Sequence, residues 1–206
     1  MGLGVVVFGA VALVAGFLVF RPKDQAVAEL RPPPAGGHTH DLGGAPVVEG
    51  QVQDLEAPCP ALDGLRVGGT AAETELLIGG LASLCDVVDQ AALIGEFARD
   101  QGTVRFARFP AAAVDSVASL EEPLILVNAR FSVTQPTWIA PLVIHDLVTV
   151  EGEPGTAETA LAARQAELET CIALFPDSFA GPSCADASTV VALDDPIAAF
   201  QEAGYR

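Results

Sequence analysis

Lysine is almost missing from this chain: of ten basic residues only Lys23 is a lysine, against 27 Asp and Glu, for a formal net charge of -17 and a sequence pI near 4.2. Such a surface repels phosphates, and with one Trp and one Tyr there is no aromatic platform for bases, so nucleic acid is excluded as a partner. The four cysteines, Cys59, Cys85, Cys171 and Cys184, include no C-x-x-C pair, which removes zinc ribbons and dithiol redox motifs. Haem attachment through C-x-x-C-H and clustered iron-sulfur ligands are missing as well. No G-x-S-x-G elbow occurs, and Gly68-Gly69 and Gly79-Gly80 stand outside any phosphate-loop pattern. No resident cofactor is therefore expected.

Charge is also absent from the first twenty residues. The run from Gly2 to Phe20 would span about 28 Å as a helix at roughly 1.5 Å per residue, against a hydrocarbon core of about 30 Å. Its Leu, Val and Phe residues each favour insertion by roughly 0.3 to 0.6 kcal/mol with no charge to oppose them, so a single transmembrane anchor over residues 1–20 is expected. Ala26-Val27-Ala28 has the look of a signal cleavage site, but no basic residue precedes the run, and Arg21, Lys23 and Asp24 separate it from that site. Gly2, Gly9, Ala12 and Gly16 fall on one helical stripe, where small side chains let another membrane helix approach closely.

Two signals disagree about topology. Arg21, Lys23 and Arg31 on the C-terminal side of the run favour a cytoplasmic domain. An even number of cysteines favours two disulfides in an oxidising compartment, with three connectivities open and Cys171 with Cys184 closing the shortest loop. The expected placement is the bacterial inner membrane, with the domain on the extracytoplasmic, periplasmic side.

Residues 21–57 are rich in Pro and Gly and are expected to form a tether, extended at Arg31-Pro32-Pro33-Pro34 and flexible at its glycines. It carries His38, His40 and Asp41, side chains of metal-ligating type that are expected to be solvated. Residues 58–206 match one acidic domain in length. Helical periodicity is expected at 70–84, 86–100, 137–150 and 156–174, with a last helix at 196–203 capped by Asp195. Strands are expected at 103–109 and 124–128. The fold class is α+β: one transmembrane helix, then a compact, mostly helical domain with a small sheet.

One chemical pattern stands out. Val127-Asn128-Ala129-Arg130-Phe131 leads to an apolar helix that reads His145-Asp146-Leu147-Val148-Thr149. This segment resembles the active-site helix of HExxH zinc metallopeptidases, where two His four residues apart grip zinc and the intervening Glu activates its water. By that resemblance His145 is a zinc ligand, Asp146 a shortened general base, and Thr149 replaces the second ligand. In the gluzincin branch the third ligand is a Glu about twenty residues on, which points to Glu169 or Glu167. One imidazole and one carboxylate fall short of the three protein ligands of a catalytic zinc, so the resemblance implies an inactive member.

The function expected from the sequence is a non-catalytic accessory or structural subunit of a larger integral-membrane complex, for example a photosynthetic or respiratory assembly. It would contact the lipid bilayer and other transmembrane subunits. The alternative is a membrane-tethered, zinc-dependent hydrolase with Asp146 as base and His145, Glu167 and Glu169 as ligands.

Overall fold

The computed structural model describes residues 46–110, 114–119, 121–177 and 181–206. The expected membrane anchor, with Gly2, Gly9, Ala12 and Gly16, and the polar cluster of His38, His40 and Asp41 lie outside them. No helix among the described residues is long and apolar enough to cross a membrane.

The domain is α+β, mostly helical with a small mixed sheet, as expected, though more short strands join it than the two read from the sequence. Six strands, β1 (Val47–Val48), β2 (Gln51–Asp54), β3 (Arg66–Gly69), β4 (Thr103–Arg108), β5 (Ser116–Ala118) and β6 (Leu124–Asn128), form one mixed sheet. Its order is β2-β3-β4-β6-β5, and β1 also pairs with β4. The central trio β3, β4 and β6 is parallel, with antiparallel β2 and β5 at the edges. Among the described residues the α-helices are, in chain order, α1 (Ala71–Ala82), α2 (Val88–Arg99), α3 (Ile139–Glu151), α4 (Ala157–Leu174), α5 (Pro182–Val191) and α6 (Pro196–Glu202).

Strand alternation decides what the sheet buries, because successive side chains point to opposite faces. Val67, Val104 and Ile125 lie side by side across three strands, and Phe106 lies beside Val127. This row joins Leu77, Leu81, Ile94, Ile139, Val143 and Ile144 from the helices in the main core. The opposite face carries a smaller cluster of Ala107, Phe109, Val114, Val117 and Leu126. Register also places Ser116 opposite Val127, on the helix side of the edge strand β5.

Local chemistry sets the element ends. Thr70 and Glu73 close a capping box on α1, each side chain accepting from the other's backbone N–H. Asp195 caps α6 through Ala198 N–H, as the sequence leads one to expect. Helix α3 is preceded by a 3-10 turn at Pro136–Trp138, and every residue from Ile139 to Ile144 is buried. Two disulfides complete the frame: Cys59–Cys85, and Cys171–Cys184, which ties α4 to α5.

The boundary expected at residue 57 moves towards the N-terminus, because residues 47–54 belong to the sheet. Gly50 makes this possible: its φ is +77°, and an added Cβ would lie 1.9 Å from Gly69 O. Only a residue without a side chain lets β1 turn into β2 across the end of β3. The chain here is then clamped from β4, as Arg105 donates to the carbonyls of Glu49 (3.3 Å) and Gly50 (3.1 Å), and Arg108 pairs with the Glu49 carboxylate.

Candidate functional site

Helices α3 and α4 pack side by side, and their contact contains a group of buried ionisable side chains. Glu167 of α4 is 0% exposed and Asp146 of α3 is 3% exposed. A carboxylate taken from water needs a partner of opposite charge or a proton. The two residues are served differently.

Glu167 has the charges. Arg164, one turn earlier on α4, donates Nη1–H to Oε2 at 2.8 Å, and His145 Nδ1 approaches the same oxygen to 3.1 Å. The His145 approach is at ion-pair distance but lacks hydrogen-bond alignment, so Nδ1 and the second oxygen, Oε1, have no hydrogen-bond partner. Burial alone would push Glu167 upwards; Arg164, then His145, overcome it and hold the carboxyl below the usual glutamate range. Arg164 is balanced in turn, since burial acts against its charge but Glu167, Asp186 of α5 and Tyr205 outweigh that and raise its pKa.

Asp146 has little but a hydroxyl. Burial raises its pKa from 3.8 to about 8; a hydrogen bond with Ser116 opposes the rise, Glu167 adds to it, and Arg164 opposes it. Its Oδ2 has no partner. At neutral pH Asp146 is therefore the neutral acid in a site that already holds one ion pair.

The residues singled out by the HExxH resemblance are only partly brought together. His145 meets Glu167, with Asp146 buried beside His145 on the same helix. Glu169 is exposed and away from it, because two residues along a helix is a rotation of about 200° at 3.6 residues per turn. Thr149 turns its hydroxyl back along its own helix, donating to the His145 carbonyl at 2.9 Å. This donor set does not fit zinc. The guanidinium of Arg164 occupies the position beside Glu167 Oε2 that a cation would need, and among the described residues no group of three or more His, Cys, Asp or Glu side chains could hold a metal ion.

Two participants were not anticipated. Arg164 was legible, since Arg and Glu three apart on a helix face each other. Ser116 was not, because its strand is three residues long and its partner lies thirty residues away in sequence. The cysteines that the sequence left unpaired are joined in the pattern first with second and third with fourth. Comparison with protein-family models, with curated proteins and with solved structures yields no match for this chain.

Proposed function

We propose that this chain is a single-pass, non-catalytic accessory subunit of a larger integral-membrane complex, its acidic domain standing on the extracytoplasmic side as a scaffold that keeps a metallopeptidase-like helix pair for structure. The observation that carries the non-catalytic part is the internal pairing of Glu167. A carboxylate fully buried and bound to Arg164 on its own helix is withdrawn from substrate, water and metal alike. The two disulfides favour the oxidising side of the membrane over the cytoplasm. The uncharged run at residues 2–20 supplies the anchor, and its stripe of Gly2, Gly9, Ala12 and Gly16 the surface for neighbouring membrane helices.

The test is purification of the full chain in mild detergent, with identification of co-eluting chains. Stable co-purification that is lost when Gly9, Ala12 and Gly16 are replaced by Leu supports the reading. A monodisperse monomer without partners overturns it. Stoichiometric zinc in the purified protein, lost on His145→Ala, would restore the hydrolase alternative.

A further inference from the structure

The two disulfides differ in what can reach them. Cys171 and Cys184 are 0% and 1% exposed, closed between α4 and α5. Cys59 and Cys85 are partly exposed at the margin of the main core, and both sit in short 3-10 segments: Cys59 caps the turn Pro60–Leu62, and Cys85 belongs to Ser83–Asp86 at the end of α1. A disulfide opens when a thiolate approaches one sulfur from outside, so access decides which of two bridges exchanges. What the accessible bridge holds is the N-terminal arm, residues 46–61. All four residues of β2 are exposed, β1 is two residues long, and only Leu55 of the arm is buried. Its other ties are the pairing of β2 with β3, the Leu55 N–H bond to Leu65 O at 2.9 Å, and the arginine contacts to Glu49 and Gly50. Little apolar area opposes its departure. From Leu62 onward the chain is core, since Leu62 and Leu65 are 0% exposed.

We propose that Cys59–Cys85 is a thiol–disulfide exchange site, and that its reduction by a dithiol releases the N-terminal arm while the rest of the domain and the Cys171–Cys184 bridge stay intact. A thiolate of the reductant attacks one sulfur, forming a mixed disulfide and expelling the other cysteine as a thiolate that takes up a proton. The reductant's second thiol then displaces the remaining cysteine. Two electrons and two protons pass to the bridge, and the reductant leaves as its own disulfide. A monothiol serves less well, because the expelled cysteine stays close in its turn and displaces the monothiol again. The site is separate from the α3–α4 contact and stands whether or not the chain has a membrane partner.

The experiment treats the full chain in detergent micelles with dithiothreitol, traps new thiols with iodoacetamide, and locates them by peptide mass mapping. Cys59 and Cys85 should be alkylated at least about tenfold faster than Cys171 and Cys184. Amide hydrogen exchange is followed in parallel on the reduced chain before trapping. Once Cys59–Cys85 is open, exchange over residues 51–57 should rise by about tenfold or more, while β4 and α4 keep their rates. Removal of the reductant and reoxidation should restore the slow exchange. Opening of Cys171–Cys184 first, or of both bridges at one rate, overturns the exchange site. Unchanged exchange over residues 51–57, or protection lost across the whole domain, overturns the release of the arm.

Discussion

The sheet with α1, α2 and the start of α3 is held together quite differently from the layer formed by α4, α5 and α6. In the first region Leu77, Leu81, Leu84, Ile94, Ile125 and Ile144 interlock without solvent contact, a continuous apolar mass reaching from β3 to α3. In the second the apolar cluster is small, centred on Ala157, Val190, Ala199 and Phe200, with Tyr205 edge-on to Phe200 at 5.2 Å between ring centroids. The outer layer depends instead on discrete ties: one disulfide, one buried ion pair and one buried acid. Apolar area is lost gradually and is indifferent to pH, whereas each tie can be cut singly and two of the three respond to protons. One domain thus combines a continuous apolar core with an outer layer held by a few discrete polar and covalent ties.

The contrast is broken most strongly at Arg164. Arg164→Ala leaves Glu167 buried and unpaired and should destabilise the domain by about 3–5 kcal/mol at neutral pH. Chemical denaturation measures the loss, and exchange should rise first in α4 rather than in β4. Leu81→Ala is the matched cut on the other side; removing a fully buried leucine should cost about 2–5 kcal/mol, with no change in pH dependence. Replacing Cys171 and Cys184 together by Ser opens a loop of 13 residues and should lower stability by about 3 kcal/mol, read in calorimetry as a domain whose outer helices melt before the sheet.

Asp146→Asn acts in the opposite direction. The folded-state pKa of Asp146 is raised from 3.8 to about 8, so the folded chain holds a proton that the unfolded chain releases. Stability falls as pH rises through that interval, and Asn should restore roughly 5 kcal/mol at pH 8 and almost nothing at pH 4. Glu167 has the reverse sign. Its folded pKa is lowered, so its contribution is present above the ordinary value of 4.5 and is lost as pH falls through the lowered one. Stability measured against pH should therefore peak in the mildly acidic range and lose the decline towards about pH 8 in Asp146→Asn. The smallest effect is expected of Thr70→Ala, about 1 kcal/mol from the lost α1 cap, with α4 exchange unaltered.

How much of this was legible in the sequence depends on how local the cause is. Helices α1, α2, α3, α4 and α6 and strands β4 and β6 follow from periodicity and caps and lie within a few residues of expectation. Strands β1, β2, β3 and β5 are two to four residues long, and two of them are glycine-containing or polar, so their pairing depends on neighbours far along the chain. Helix α5 is not among the helices expected from periodicity; Pro182 stands at its first turn, where the missing N–H is tolerated. At the site, the metallopeptidase resemblance pointed to His145, Asp146 and either Glu167 or Glu169. Arg164 beside Glu167 follows from their spacing of three on one helix, but burial of that pair does not, because it depends on which face of α4 meets α3.

The turn at Gly50 sets the order in which the domain resists being pulled. A load arriving along the chain from before Val47 meets β1 first, a strand of two residues whose partners are Arg108 and Ala107. Next in line are the Arg105 and Arg108 contacts to Glu49 and Gly50, then the four-residue pairing of β2 with β3. Only after these does tension reach Leu55, whose N–H is bound to Leu65 O and whose side chain is in the main core. The first strands thus act as a sacrificial buffer, yielding under stress before the packed interior is touched.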